Sequence, residues 1–399
     1  MKEIIMVVFG TKGDLHPFIG VGRELKSRGH NVTVVSNEIY NRDVVSAGLK
    51  FFSAGSNLDY QKSIGSGRIF NSMEEYTHVI GDAIRKPMFR VEYEFVASRF
   101  KKNKNVLVIV SRFDNGACLA CEKLKIPMIR LCLSPMHLKI TNPVPEQFKL
   151  QMQKSYSIGF INEFREAYDL EPIRDFHYFD DFSLCDIALF PEWFADLDQE
   201  EKPAALFFSG FPLYDVPITK NTDRFLEHVG KYGQPIIFMM DTCIAGSKSF
   251  FETSVKICEE FFYPGVIVTH DKNAIPENLS ENVLWLDYID MKSSLQNALL
   301  IVHTGGIGTV ARAMESGVPQ LIVPRYSDND HVDNALKSAL FGSGGCVSID
   351  EYSADFVPKI IYSMLYKEKL KSMREEILND INSKNGIDIT CDLILEASS

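Results

Sequence analysis

The chain has 399 residues, of which 45% are hydrophobic and 24% charged, the balance of a globular protein that folds in water. That length exceeds what one ordinary core organises and predicts two domains with a cleft between them. A formal net charge of −11 leaves no basic face for a phosphate backbone and excludes nucleic acid as a partner. No apolar run approaches the ~20 residues that span a bilayer.

Met1 leads straight into the apolar stretch Ile4 to Phe9, without the basic segment, apolar run and cleavage site of a secretory leader, so a cytoplasmic location is expected. The eight cysteines (Cys118, Cys121, Cys132, Cys185, Cys243, Cys258, Cys346 and Cys391) sit mostly inside apolar patterns, as reduced core thiols do. Cys118 and Cys121 form a C-x-x-C, but "GACLACEKLKIP" reads as helix interior with no second cysteine pair. Packing is therefore the expected role rather than metal or redox chemistry.

Along the chain, "IIMVVF" is followed by a helical pattern, "PFIGVGRELKSRG", and then by "NVTVVS", "NVLVIVS", a helix through Glu122, "PMIRLCLS" and "DIALFP". Short apolar runs separated by amphipathic helices predict a parallel sheet covered on both faces. Two aromatic-rich excursions, Gly55 to Ser72 and Lys139 to Asp180, break this rhythm and are expected to contact a substrate. The proline-punctuated "SGFPLYDVPITKNTD" reads as a linker, after which "PIIFMM", "GVIVTH", "NVLWLDYI", "LLIVH" and "PQLIVP" predict a second parallel sheet. The expected division is 1–211, a linker at 212–230, 231–375, and a helical tail at 376–399.

The most informative stretch is "IVHTGGIGTVARAMESGVPQLIVP", Ile301 to Pro324. A buried strand stops on His303 and Thr304, and Gly305, Gly306 and Gly308 lie where a helix must begin. Such a turn places backbone N–H groups without intrahelical partners at the carboxyl edge of the sheet, an anion site. Glycine keeps side chains out of the ligand's way and permits positive φ. A tight turn with no ligand would also use these residues.

With "GGIGT", "GVP", Pro324 and "NA" in the second half and "GTKGDLHPFIGVGRELKSRGHNVTVVS" in the first, the sequence resembles the family 1 glycosyltransferases of the GT-B fold, which use UDP- or TDP-sugars. Within that family it is most similar to bacterial rhamnosyltransferases of the rhamnolipid type, through "FPEWFA" (Phe190 to Ala195), "SGFPLYD" (Ser209 to Asp215) and "HTGGIG". The resemblance implies an α/β architecture of two Rossmann-like domains. It also implies metal-independent, inverting transfer of a hexose from a nucleotide diphosphate sugar to a small hydrophobic acceptor, with no cofactor. The diphosphate would be held by backbone amides and a helix N-terminus.

Carried over position by position, the resemblance makes Asp14 the general base, since an acceptor hydroxyl must lose a proton as it attacks. Asp14 equally suits a helix cap near Pro17. His16 would tune or replace the base, or be a loop histidine. A second acid is expected after a later strand, where the chain has Arg112 and Asp114. In the donor site His303, Thr304, Gly305, Gly306, Ile307, Gly308 and Thr309 would cradle the diphosphate, His303 either touching phosphate or ending its strand. The position of a ribose-binding glutamate holds Arg312, with Glu315 out of register. The sugar-binding pair has two registers: counting from Pro324 gives Asp328 and Asn329, whereas counting back from Asn334 and Ala335 gives Asp330 and His331 and suits the "NA" pair.

Asp241 departs from the pattern, standing where relatives have a small turn residue and where a carboxylate would repel a diphosphate. Asp241, Arg112 and Arg312 keep open a glycosyltransferase-shaped auxiliary protein without transfer activity, and a GT-B epimerase is a third reading. A homodimer and a peripheral membrane or partner-protein contact are compatible with the sequence.

Overall fold

The structure, a computed structural model, describes residues 1–58, 85–111, 116–138, 156–173, 182–195, 197, 202–215, 220–240, 248–324 and 330–399. It divides into two compact units, one of Met1–Tyr214 with Asn385–Ser399 and the other of Asp215–Lys384.

The first unit contains seven parallel strands, β1 (Glu3–Val7), β2 (Asn31–Asn37), β3 (Lys50–Gly55), β4 (Val106–Val110), β5 (Met128–Cys132), β6 (Ser183–Ala188) and β7 (Leu206–Phe208), in the order 3-2-1-4-5-6-7. β1, β4 and β5 are buried along their whole lengths, the physical reason their sequences are apolar on both faces of the pleat except at Glu3 and Arg130, which pair with Arg99 and Asp186. The strand order reverses between β1 and β4, and the carboxyl end of such a reversal is where doubly wound sheets bind ligands. Gly10 to Asp14 follow β1 at that point.

The helix after β1 runs Lys12–Ser27 and begins five residues before Pro17, the start the sequence suggested. Thr11 is its N-cap and Asp14 completes a capping box, which outweighs the break expected at proline.

The second unit contains β8 (Ile236–Met239), β9 (Gly265–Val268), β10 (Val283–Leu286), β11 (Leu300–His303), β12 (Gln320–Ile322) and β13 (Gly344–Cys346), parallel in the order 10-9-8-11-12-13. The reversal falls between β8 and β11, so the glycine-rich turn after β11 occupies the equivalent binding point.

The linker expected at 212–230 is shorter, because Lys220–Tyr232 is a helix whose Phe225 is fully buried in the core of the second unit. The tail is divided as well. The helix Glu368–Asn382 belongs to the second unit, whereas Gly386–Ala397 returns to the first. There a β-carbon on Gly386 would collide with the Phe211 carbonyl, Ile387 packs at Gly20, and Arg28 pairs with Asp388 and Asp392.

The stretches 190–195 and 209–215 meet through Phe194 and Phe211, with ring centroids 5.8 Å apart, and Phe190 packs on Phe208 at 6.0 Å. They build this end of the first unit. In the second excursion Phe164 stacks on Phe89 at 4.5 Å and Tyr168 on Tyr93 at 3.7 Å, so these aromatics join the packing of the helix Lys86–Lys102. Residues 59–72 and the remainder of 139–180 lie outside the described residues. Among the described residues no helix is long and apolar enough to cross a membrane.

Candidate active site

β11 is buried throughout and ends on His303. Gly305 has φ +106°, in the region that favours glycine, and a β-carbon there would meet the His331 carbonyl oxygen and Ile322 Cγ2 at 2.9 Å. Gly306 has ordinary dihedrals (φ −57°, ψ 132°) and is the N-cap of the helix Ile307–Glu315, with no side-chain cap. A β-carbon on Gly308 would meet nothing within 4 Å. The three glycines thus serve different ends: Gly305 makes the turn, Gly306 is an N-cap without a side-chain acceptor, and Gly308 leaves open space at the first turn. Ile307 and Gly308 carry first-turn N–H groups with no intrahelical acceptor, and the helix dipole reinforces their attraction for an anion.

The turn is braced from behind. His303 is 2% exposed, its Nε2 stands 2.9 Å from Gln320 Oε1, and its Nδ1 accepts the Gly305 N–H at 3.1 Å. Burial pushes the His303 imidazole down to about 4, against the pull of Gln320 and with help from nearby His331. The ring is therefore neutral with its proton on Nε2, where it donates to Gln320. Asn334, fully buried, donates from Nδ2 to the Gly305 carbonyl at 2.9 Å. Of the residues expected in the donor cradle, His303, Gly305 and Asn334 thus hold one another inside the unit. Thr304 is 3% exposed, whereas Ile307 and Thr309 are half-buried. His331 abuts the turn through its carbonyl, and Asp330 opens the helix Asp330–Leu340. Asp328, Asn329, Asp241, Arg112 and Asp114 lie outside the described residues.

Arg312 is buried, and its guanidinium is held by Asp215 at 2.8 Å and Glu315 at 2.7 Å. Lys292 also reaches Asp215, at 3.1 Å. The cation at the expected ribose position is thus neutralised within the second unit.

In the first unit Asp14 Oδ2 accepts the Thr11 N–H at 2.6 Å and the Thr11 hydroxyl at 3.1 Å. Tyr40 donates its hydroxyl to the Gly10 carbonyl at 2.7 Å, fixing the turn on which the carboxylate rests. His16, two residues on along the same helix, is directed away from Asp14 by the helical period. Its ring approaches Tyr214, with centroids 5.9 Å apart.

Residues 4–135 match the glycosyltransferase family 28 N-terminal domain, and residues 262–388 match the erythromycin biosynthesis protein CIII-like C-terminal domain. The chain is a glycosyltransferase of the GT-B fold. Over 428 aligned residues this glycosyltransferase is 21% identical to the uncharacterized UDP-glucosyltransferase YojK of Bacillus subtilis, covering 100% of the chain and 98% of that protein. It is 33% identical to a sterol 3-beta-glucosyltransferase of Arabidopsis thaliana over 96% of the chain, which spans 64% of that longer protein. In structure it is similar to the calicheamicin glycosyltransferase CalG4, with a TM-score of 0.76 at 17% identity, covering 100% of the chain and 98% of the other.

The glycosyltransferase's sequence also held a signal that its motifs obscured. Gln320 is a fully buried amide in an otherwise apolar strand, and a polar side chain there demands partners. Its partner is His303. Among the described residues no three His, Cys, Asp or Glu side chains gather as a metal site. Cys118 and Cys121 are buried in one helix, and burial pushes the Cys121 thiol far up.

Proposed function

We propose that the chain is an inverting transferase that moves a hexose from a nucleotide diphosphate sugar to a hydroxyl of a small hydrophobic acceptor, a lipid or an aromatic natural product. The observation that carries this reading is the braced turn at the reversal of the second sheet, where Gly306 opens an uncapped helix N-terminus. In this reading the acceptor oxygen attacks the anomeric carbon and gives its proton to the Asp14 carboxylate. The bond from that carbon to the diphosphate breaks, and the departing charge is met by the amides of Ile307 and Gly308. Backbone donors meet that charge without a metal, and no cofactor is required. The named activities of the relatives, on sterol and calicheamicin among others, support a hydrophobic acceptor, and the free cysteines, buried among the described residues except for Cys346, suit a cytoplasmic setting.

The test is calorimetric titration of UDP, TDP and GDP into wild type and Gly306→Glu. The ordinary φ of Gly306 admits a side chain, so the variant should fold with a carboxylate in the anion site. One nucleotide should bind wild type and lose measurable affinity for the variant. Equal binding to both proteins would sink the assignment of the turn. An Asp14→Asn variant that still transfers sugar at the wild-type rate would remove the proposed base.

A further inference from the structure

Behind the turn lies a continuous run of buried hydrogen bonds that the reading above does not use. Ser343 donates its hydroxyl to the Ser338 carbonyl at 3.1 Å, and Gln320 Nε2 reaches Ser343 Oγ at 3.4 Å. Gln320 Oε1 takes the His303 Nε2 proton, His303 Nδ1 takes the Gly305 N–H, and Asn334 holds the Gly305 carbonyl. Ser338, Gln320 and Asn334 are 0% exposed, and Ser343 and His303 are 2% exposed. The run crosses β12 and β11 and ends on the peptide that leads into the diphosphate helix. Space for it is provided by Gly344, where a β-carbon would come within 2.7 Å of the Gln320 carbonyl oxygen and 2.9 Å of its Cγ.

We propose that Gln320 and His303 are positioning residues for donor binding, which act through the Gly305 peptide to fix the helix entrance before the diphosphate arrives. The polarity of the run carries the argument. Ser343 is committed to the Ser338 carbonyl, so it accepts from the Gln320 amide. That turns the Gln320 oxygen towards His303 and keeps the imidazole proton on Nε2. Only this tautomer presents a lone pair to Gly305. With the N–H of the peptide before Gly305 satisfied by the ring and the carbonyl of the peptide after it held by Asn334, both peptides flanking φ +106° are fixed, and the amides of Gly306, Ile307 and Gly308 inherit their orientation. Preorganised donors lose little entropy when they meet charge, which is the usual source of their strength. The relay therefore acts on nucleotide affinity through geometry, without touching the ligand.

This inference rests on the proposed diphosphate site, and the test separates the two. UDP and TDP are titrated into the full chain as wild type, His303→Asn, His303→Leu, Gln320→Glu and Gly306→Glu, with the fold of each followed by circular dichroism. Asparagine can still offer an oxygen to the Gly305 N–H, so His303→Asn should bind nearly as wild type, whereas His303→Leu should bind about tenfold or more weakly. Gln320→Glu sets a carboxylate against the ring and favours its doubly protonated form, which has no lone pair for Gly305. Its binding should fall as pH is lowered from 8 towards 6, while wild type stays flat. His331, which acts on the ring, and the other charged groups of the two helices beside the turn, Asp330, Asp333 and Lys337 on one and Arg312 and Glu315 on the other, are unchanged in every variant. Nitrogen-15 spectra of wild type should show His303 neutral with the proton on Nε2. A proton on Nδ1, or equal binding by folded His303→Leu and His303→Asn, would overturn the relay while the Gly306→Glu result leaves the site standing. Undiminished binding by Gly306→Glu would overturn both. If His303→Leu does not fold, the Gln320→Glu pH profile and the spectra decide.

Discussion

Gly10 lies directly beneath the carboxylate of Asp14. A β-carbon on Gly10 would collide with Asp14 Oδ2, and the backbone there has φ +137°. The glycine is therefore part of what holds Asp14 over the end of β1. Gly10→Ala should destabilise the protein by about 1–3 kcal/mol and reduce transfer as severely as replacing Asp14 does. For Asp14→Asn the expected loss is about 10²-fold or more in kcat, with nucleotide affinity retained. Initial rates and nucleotide titrations on the same preparations check both.

The glycines of the donor turn should separate by cause. Gly305→Ala meets strain and the His331 carbonyl, so it should lower stability by about 2–4 kcal/mol and abolish nucleotide binding. Gly308→Ala points into open space and should leave the melting temperature within a degree or two of wild type. Thermal denaturation of the pair is the measurement.

Acid should find His303. Its folded value of about 4 lies below the ordinary 6.5, so between those limits the unfolded chain binds a proton that the folded chain does not. Its contribution to stability is therefore complete above pH 6.5 and declines as pH falls towards about 4, by at most about 3 kcal/mol. Urea unfolding at pH 7 and pH 5 should show this slope, and His303→Asn should flatten it.

The first unit contains a buried ion pair, Arg165 with Glu122, at 2.6 and 2.9 Å, with Arg165 fully buried. Arg165→Met removes the cation paired with the buried Glu122 carboxylate and should cost about 3–5 kcal/mol, whereas Arg165→Met with Glu122→Leu should recover most of that loss. Denaturant midpoints of the two variants test the difference.

Much of the fold was legible because its central strands are buried on both faces. Val106 to Val110 and Leu300 to His303 can be nothing else. β13 was not legible, because Gly344, Gly345 and Cys346 carry no strand pattern and pair only because β12 offers them a ladder. The start of the first helix was written in Thr11 and Asp14, but Pro17 drew the boundary inwards. At the site, the glycine turn announced itself through spacing. His303, Gly305 and Asn334 could be named as candidates, yet their mutual bonds could not be read, since the orientation of His303 depends on Gln320 seventeen positions away. A single polar letter in an apolar strand was the available clue.

The return of Gly386–Ala397 to the first unit makes residues 215–384 an insertion within it. As the chain is synthesised, the second unit is complete while the first still lacks the helix that packs on Gly20, Phe211 and Arg28. The unit begun first is therefore finished last. Until then its exposed face, rather than any feature of the donor site, is where a nascent chain would need protection from aggregation.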